Sequence, residues 1–273
     1  MLRGCRIATV VPARNEERLV GDAIASVPAF VDDVVLVDDG STDATVERAL
    51  ALGDVRVRVL AHPRSRGVGA AIATGCADAF ARGADVAVVM AGDAQMDPAD
   101  LPALLGPVLE GRADYVKGNR LRHPGARKLM PVQRYVGNHV FSALTRVALG
   151  LDGLGDSQCG YTAMHRGVGT RIDWSRLWPG YGYPNDLLAH LVSLGARVAE
   201  VVVRPVYAGE RSGVRVRHAL VTVPFVLARA FATRVRTTSR LAPPDAPVVA
   251  ARARAAESRR IDPVDVVAMS PAE

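Results

Sequence analysis

The chain has 273 residues, of which 49% are hydrophobic and 23% are charged, so it can bury a large core and is neither a disordered chain nor a disulfide-stabilised miniprotein. Lysine and arginine exceed aspartate and glutamate by six, but the excess is local. Residues 1–210 carry 23 charges of each sign, whereas residues 211–260 carry 11 arginines against two acids.

Short runs rich in β-branched residues alternate with longer helical patterns in the N-terminal half of the chain. This alternation predicts βαβ units around a mostly parallel sheet. Asp97 followed by Pro98 marks one helix start, since Asp is a favoured N-cap and Pro a favoured first helical residue. The predicted strands are 7–11, 34–37, 55–60, 86–90, 115–118 and 197–203, and the predicted helices are 15–26, 43–52, 69–81, 98–110 and 186–194.

The second half of the chain has a less regular pattern. Residues 121–185 are rich in Gly, Pro and aromatic side chains, and we interpret them as a loop-rich region that shapes a pocket. Residues 217–240 have the pattern of an amphipathic helix, with Pro224 on its apolar side, and the pattern fits a helix packed on the domain as well as one lying at a membrane interface. We therefore predict a main domain at 1–210, a basic amphipathic helix at 211–242 and a disordered tail at 243–273.

Several features predict a cytoplasmic protein. The cysteines at 5, 76 and 159 have no spacing typical of disulfides or zinc sites. The N-terminus lacks a signal-peptide pattern, and the apolar stretch at 219–228 is about half the length that a membrane span needs. Phe225 and Phe231 lie on the apolar face of the basic helix and do not interleave with its arginines, which argues against nucleic-acid binding.

Polar residues follow each of the first four predicted strands, at 12–17, 38–43, 64–71 and 92–98. In open α/β sheets, ligands bind at the carboxyl ends of the strands. Each segment alone is explained by a turn or a helix cap, but the four together favour a ligand site. Asp93 and Gln95 suit a hard divalent cation, while Asp38 and Asp39 can accept hydrogen bonds from a nucleobase or ribose. These residues predict a site for a nucleotide diphosphate and a metal ion.

Six short segments form a recognisable set: PARNEE at 12–17, DDGSTD at 38–43, GVG at 67–69, DAQ at 93–95, GNR at 118–120 and DSQCGY at 156–161. With these segments the chain resembles family 2 glycosyltransferases of the GT-A fold, and more narrowly the dolichyl- or polyprenyl-phosphate hexose synthases, over residues 6–240. The resemblance implies an α/β fold with a mostly parallel central sheet flanked by helices, followed by the amphipathic helix and tail.

The resemblance also implies roles for residues on the donor side. Asp93 and Gln95 would bind Mg²⁺ or Mn²⁺ across the diphosphate, and Asp93 is a candidate catalytic residue. Ala91 stands where the family usually has a second Asp, so metal binding would depend more on Gln95 and on the donor phosphates. The implied nucleotide-sugar contacts are Pro12, Ala13, Arg14, Glu16, Asp38, Asp39, Gly67 and Asp93.

The acceptor determines the mechanism. A hydroxyl acceptor must lose a proton and calls for a carboxylate base, whereas a lipid monophosphate is already an anion and needs cations to hold it. In the lipid-phosphate branch these cations are arginines, although an ordinary surface charge explains any one of them equally well. The candidate acceptor-phosphate residues are Arg120, Arg134, Arg146, Ser157 and Arg166.

Asp186 is a second candidate catalytic residue, because hydroxyl-directed relatives place their base at this position; a helix cap or another structural role explains this residue equally well. Our main expectation is an inverting hexosyltransferase that uses a nucleotide-diphosphate sugar and polyprenyl phosphate, with the basic helix holding it peripherally at the inner face of the membrane. One alternative is a soluble family 2 enzyme acting on a hydroxyl of a saccharide or small molecule with Asp186 as base. Another is a catalytically silent nucleotide-binding protein, for which Ala91 is the only indication.

Overall fold

A computed structural model describes residues 1–151, 153–207, 222, 224–229 and 231–232 of the chain. The strands in these residues are β1 (Ile7–Ala13), β2 (Asp33–Asp38), β3 (Val57–Ala61), β4 (Val86–Val89), β5 (Tyr115–Asn119), β6 (Thr162–His165) and β7 (Val198–Val202). They form one sheet in the order β3-β2-β1-β4-β6-β5-β7. Neighbours run parallel except at β6, which is antiparallel to both β4 and β5.

Helices cover both faces of this sheet. They are α1 (Val20–Ala25), α2 (Thr45–Leu50), α3 (Val68–Ala81), α4 (Leu101–Leu109), α5 (Ala126–Leu129), α6 (Val132–Leu149), α7 (Arg166–Gly169) and α8 (Tyr183–Ser193). Side chains of α3, α7 and α8 share one apolar core with the sheet, and those of α1, α2 and α4 share the other. All seven residues of β1 are buried for this reason, and all but Thr9 are apolar, as is typical of a parallel strand covered on both faces.

The predicted alternation of strands and helices is confirmed, with differences at the element ends. The first helix begins at Val20 instead of residue 15, because residues 15–17 form hydrogen bonds to the loop after β2. The helix start at Asp97 is confirmed: its carboxylate accepts a hydrogen bond from the Ala99 N–H at 3.0 Å, at the head of a 3₁₀ turn that leads into α4.

The interpretation of residues 121–185 as loop-rich is wrong for one large element, because they contain the 18-residue helix α6. Of the predicted helix at 217–240, residues 222, 224–229 and 231–232 are described and are helical. The rest of that helix and the predicted tail at 243–273 lie outside the described residues. Among the helices that are described, none combines the length and hydropathy that a membrane span needs.

Candidate active site

Six loops meet at one edge of the sheet. The parallel strands β1, β2 and β4 end there, with Ala13 beside Asp38. Because β6 is antiparallel, its first residue, Thr162, lies at the same edge, beside Val89. The carboxyl end of β5 is also there, and the loop after β3 joins them. This edge brings together these predicted site residues: Pro12, Ala13, Arg14, Glu16, Asp38, Asp39, Gly67, Asp93, Gln95, Arg120 and Ser157.

The loops after β1 and β2 are linked by hydrogen bonds. The backbone N–H of Asn15 donates to Ser41 Oγ at 2.9 Å, and the side-chain oxygen of Asn15 accepts from the Thr42 N–H at 2.8 Å. The N–H of Glu16 donates to Thr45 Oγ1 at 2.8 Å. Asn15 has a φ of +56°, in the left-handed region that Asn tolerates better than most residues. The two loops therefore form one rigid wall of the site.

Asp39 organises the loop after β3. Its carboxylate accepts hydrogen bonds from His62 Nδ1 and Ser65 Oγ at 2.7 Å, and from the N–H groups of Arg66 and Gly67 at 2.8 Å. Burial opposes ionisation of this carboxyl, but the hydrogen bonds outweigh burial and lower its pKa. Four bonds use the acceptor capacity of a carboxylate. In this structure the Asp39 carboxylate is therefore occupied by the loop after β3.

Asp38 differs from its neighbour. Among the described residues it accepts one backbone N–H, that of Ser41, shared between its two carboxylate oxygens at 3.2 Å each. It therefore keeps acceptor capacity for a ligand, although it is largely buried. Of the predicted acidic pair, Asp38 is the better candidate for a hydroxyl group of the donor.

Gly67 and Gly69 permit a close backbone contact at the N-terminus of α3. The carbonyl oxygen of Pro179 accepts from the N–H of Gly69 at 2.7 Å and lies 2.4 Å from where a Cβ on Gly67 would be. A Cβ on Gly69 would lie 2.1 Å from the carbonyl oxygen of Trp178. Residues 177–182, here called the crossing loop, therefore lie directly against α3. The N–H groups of Gly69 and Ala70 both donate to the Pro179 carbonyl and are therefore not available to a phosphate.

Tyr181, in the crossing loop, links three parts of the site. Its side chain is about half exposed, and burial raises the pKa of its hydroxyl. The negative charges of Asp93 and Glu16 raise this pKa further, while Arg14 opposes them. Tyr181 therefore interacts electrostatically with the loops after β1 and β4, which carry predicted site residues.

Asp93 and Gln95 lie in the loop after β4. Asp93 Oδ1 accepts from the Gln95 N–H at 3.1 Å, and Ala94 between them has a φ of +54°. Nowhere in the described chain do three or more His, Cys, Asp or Glu side chains gather as a metal site. A carboxylate and an amide oxygen nevertheless fit a hard divalent cation that takes its other ligands from a diphosphate and water. Asp93 and Gln95 are only two ligands, but both offer the oxygen atoms that Mg²⁺ and Mn²⁺ prefer.

The predicted acceptor arginines are held in different ways. Arg120 forms an ion pair with fully buried Asp156, with bonds of 2.8 and 3.1 Å. Burial opposes ionisation of Asp156, but the Arg120 charge and hydrogen bonds outweigh it and lower its pKa. On α6, the Arg134 guanidinium lies 5.1 Å above the Tyr207 ring, and Arg146 donates to a backbone carbonyl at 2.8 Å.

Arg166 is not brought to the site. It follows β6, whose last residue, His165, pairs with Val86 at the start of β4. Its backbone N–H donates to the carbonyl of Asp85 at 2.7 Å. Arg166 therefore lies at the opposite edge of the sheet from Asp93.

A buried polar network joins α6 to α8 beneath the acceptor side. Ser157 Oγ lies 3.3 Å from both Ser142 Oγ and Thr145 Oγ1 and accepts from Gln158 Nε2 at 2.8 Å. Thr145 and Gln158 both reach the side-chain oxygen of Asn185, at 3.0 and 3.1 Å. Ser157 is fully buried, whereas Gln158 is partly exposed. The network fixes the loop before β6 against two helices.

Asp186 lies within the first turn of α8, and the helix-cap interpretation is wrong. The N-cap residue is Gly182, and no side chain caps this helix. Instead, the Asp186 carboxylate accepts from the Trp178 N–H at 2.8 Å and from Arg229 Nη2 at 2.6 and 2.8 Å. Burial opposes its ionisation, but the nearby His190 ring, at 3.6 Å, and the hydrogen bonds from Trp178 and Arg229 outweigh burial and lower its pKa. A buried, ion-paired carboxylate is a weak proton acceptor.

Sequence reasoning missed several residues that shape the site. Tyr181 has a local signal, since it is an aromatic residue between two glycines. Glu200 also has one, as the single charged residue of β7, and it bonds to the Asn119 amide at 2.8 Å. His62 and Arg229 have no such signal, because their partners lie 23 and 43 residues away.

Comparison with known proteins agrees with this architecture. The sequence profile of the glycosyl transferase family 2 matches residues 9–168, which is more than half of the chain. An undecaprenyl-phosphate mannosyltransferase of Micrococcus luteus is 35% identical over 204 residues, covering 72% of this chain and 82% of the relative. A UDP-N-acetylglucosamine–dolichyl-phosphate N-acetylglucosaminyltransferase of Methanococcus voltae is 31% identical over 175 residues, covering 59% of this chain and 69% of the relative.

Solved structures show the same fold. Glucosyl-3-phosphoglycerate synthase of Mycobacterium tuberculosis in complex with UDP superposes with a TM-score of 0.65 at 28% identity, covering 84% of this chain and 81% of that one. The same enzyme with Mn²⁺, UDP-glucose and phosphoglyceric acid gives a TM-score of 0.64 at 28% identity, covering 84% and 80%. The expected GT-A architecture is thereby confirmed. The chain belongs to glycosyl transferase family 2 and is a nucleotide-sugar-dependent glycosyltransferase.

Proposed function

We propose that this enzyme transfers a hexose from a nucleotide-diphosphate sugar to a polyprenyl phosphate, with inversion at the anomeric carbon. The observation that carries the proposal is the environment of Asp186, which is 2% exposed and paired with Arg229. A hydroxyl acceptor requires a carboxylate base, whereas a phosphate acceptor does not. The names of the relatives from Micrococcus luteus and Methanococcus voltae support the same acceptor class.

On the donor side, the rigid wall built by the loops after β1 and β2 receives the nucleoside, with Asp38 accepting from a hydroxyl group. Asp93 and Gln95 would hold Mg²⁺ or Mn²⁺, which supplies positive charge to the departing nucleoside diphosphate. The relative solved with Mn²⁺ and UDP-glucose supports the use of a divalent cation. Tyr181, whose hydroxyl interacts electrostatically with Asp93, Glu16 and Arg14, is the aromatic candidate for contact with the donor.

On the acceptor side, a phosphate oxygen attacks the anomeric carbon as the bond from that carbon to the diphosphate breaks. Arg120 supplies positive charge at this edge, Arg134 and Arg146 are further candidates at different positions along α6, and Ser157 belongs to the network that positions this loop. Arg166 has no part in the proposal, because it lies at the opposite edge of the sheet. The lipid acceptor implies work at a membrane surface, which we place at the cytoplasmic face.

Transfer of radiolabelled sugar from UDP- and GDP-sugars to polyprenyl phosphate tests the proposal. We expect organic-extractable label that disappears with EDTA. Asp93→Asn should lower the rate at least about 100-fold, the scale for removing a group that stabilises developing charge. Asp22→Asn is the matched control, since Asp22 is exposed on α1, away from the site.

A small hydroxyl-bearing acceptor is the second candidate, favoured by the similarity to glucosyl-3-phosphoglycerate synthase. In this case the label would stay in the aqueous phase as a glycoside, with Asp186 as the base. Label that never enters the organic phase, with a water-soluble product, would overturn the lipid acceptor.

A further inference from the structure

Helix α6 has its apolar side facing solvent. Its fully buried positions include Ser142 and Thr145, which bond to the polar network of the acceptor side. Surface helices normally point their apolar stripe at the core. In α6 this arrangement is reversed, since five large aliphatic side chains are between 46% and 77% exposed: Val132, Val136, Val140, Leu144 and Val147.

These five side chains form one continuous stripe. Their spacings of four, four, four and three residues keep them on a single helix face. At 1.5 Å per residue the stripe is about 22 Å long. Leu129, at the end of the short helix α5, is also 41% exposed and extends the stripe toward the N-terminus. Apolar patches of this extent mark interaction surfaces on soluble domains.

The charged side chains along this part of the chain have one sign. Residues 115–151 contain seven lysines and arginines and no aspartate or glutamate. Arg127 and Lys128 lie on α5 beside Leu129 and are exposed to solvent. Arg134 and Arg146 are the charged side chains of α6 itself and are partly buried. An apolar stripe with cations and no carboxylates is complementary to an anionic lipid surface.

We propose that the exposed face of α5 and α6 docks on the surface of an anionic lipid bilayer, with the apolar stripe inserted among the acyl chains and Arg127 and Lys128 near the head groups. The proposal rests on the proposed function in one respect, since a polyprenyl acceptor explains why contact with lipid is needed. It assigns membrane contact to an element inside the catalytic domain, separate from the basic segment at 211–242 for which the sequence also predicts such contact. The buried face of α6 carries part of the acceptor network, so docking brings the acceptor half of the site to the membrane.

Co-sedimentation of the full chain with vesicles of phosphatidylcholine, with and without phosphatidylglycerol, tests the docking. Val136→Glu/Val140→Glu should lower the partition coefficient at least about tenfold, because it places two carboxylates in the stripe. Val55→Glu is the matched control: Val55 is 99% exposed before β3, and its variant should bind like the wild type. Arg127→Gln/Lys128→Gln should reduce the preference for phosphatidylglycerol by about fivefold for each cation removed.

Two further measurements distinguish loss of apolar contact from the effect of added charge and from unfolding. Val136→Ser/Val140→Ser removes the same apolar groups without adding charge, and must also weaken binding if the wild type binds through this face. Circular dichroism checks that each variant is folded. Vesicle binding that is unchanged in both Val136→Glu/Val140→Glu and Val136→Ser/Val140→Ser would overturn the proposal. A wild-type dimer that Val136→Glu/Val140→Glu dissociates, with no vesicle binding, would also overturn it and assign the face to a second copy.

Activity assays separate this inference from the proposed function. With a short-chain, water-soluble prenyl phosphate, the stripe variants should transfer sugar at the wild-type rate. With polyprenyl phosphate in vesicles, their rate should fall in parallel with binding. Transfer to the short-chain acceptor without any vesicle binding would overturn the docking alone, whereas binding without transfer to either prenyl phosphate would overturn the proposed function alone.

Discussion

Replacing Arg229 by methionine tests whether Asp186 is a structural anchor or a base. Arg229 Nη2 donates to both carboxylate oxygens of Asp186, at 2.6 and 2.8 Å. Methionine keeps an unbranched apolar stem and removes the charge. Asp186 would then keep the Trp178 N–H at 2.8 Å and His190 at 3.6 Å.

The expected loss of stability follows from the burial of the two partners. A hydrogen bond to a charged group contributes about 1.5–3 kcal/mol when buried. The Arg229 side chain is 42% exposed while Asp186 is 3% exposed, so screening by solvent places the loss at about 1–2 kcal/mol. For a domain of this size the midpoint of thermal unfolding should fall by roughly 2–8 °C. Arg82→Met is the control, since Arg82 pairs with Asp78 on the surface and should change stability by less than about 1 kcal/mol.

The effect should depend on pH in a defined direction. The folded state lowers the pKa of Asp186, so its contribution is present above the unfolded pKa of about 3.9 and is lost as the pH falls through the lower folded value. The difference between the wild type and Arg229→Met should therefore be constant near neutral pH and shrink below about pH 4. Urea unfolding at a series of pH values measures it. Equal unfolding free energies of the two proteins at pH 7 would refute the anchoring role.

Activity completes the test. If Asp186 is a base, Asp186→Asn should lower kcat about 100-fold or more while Arg229→Met leaves kcat nearly unchanged. If Asp186 is an anchor, both variants should lose stability, and Asp186→Asn, which still accepts from the Trp178 N–H, should keep most of its transfer activity. Only a large loss of kcat in Asp186→Asn, with kcat kept in Arg229→Met, would support Asp186 as the base.

Three further predictions concern other parts of the domain. Gly69→Ala should lower the unfolding midpoint by several degrees, because its Cβ would lie 2.1 Å from a carbonyl oxygen of the crossing loop, whereas Gly106→Ala, with open space around it, should be neutral or stabilising by about 0.5–1 kcal/mol. Tyr181→Ala should raise KM for the nucleotide sugar about tenfold with the fold intact, and an unchanged KM would remove Tyr181 from the donor site. In the native protein, Ellman's reagent should react at Cys5 and spare the two buried cysteines, since burial raises the pKa of the Cys76 thiol to about 12.

The donor half of the site was predictable from the sequence because it depends on local pattern. Strand β1 is an apolar run with polar residues directly after it, and β2 and β4 repeat the arrangement. In a parallel sheet such ends meet at one edge whatever the detailed packing. The cap at Asp97 is equally local, since donor and acceptor are two residues apart.

The rest depends on contacts between distant segments. The pattern of α6 shows which side is apolar but not which side meets the core, and here the core side contains Ser142 and Thr145. The partners of Asp39 could not be predicted either. Asp39 belongs to a recognisable motif, but its carboxylate accepts hydrogen bonds from a loop more than 20 residues away in the sequence. Sequence patterns identify residues that are able to bind a ligand or catalyse a reaction, whereas the partners of these residues are determined by the tertiary structure.

The position of β6 has a consequence for how the chain folds. Strands β3, β2, β1 and β4 come from the first 89 residues and, within the described part of the chain, pair only with one another and with β6, while β5 and β7 join the sheet through β6. The N-terminal four strands can therefore assemble while the remainder is still being synthesised, and the sheet is completed once residues 162–165 insert. In pulse-labelled hydrogen exchange, we expect amide protons of β1 and β2 to become protected before those of β5 and β7.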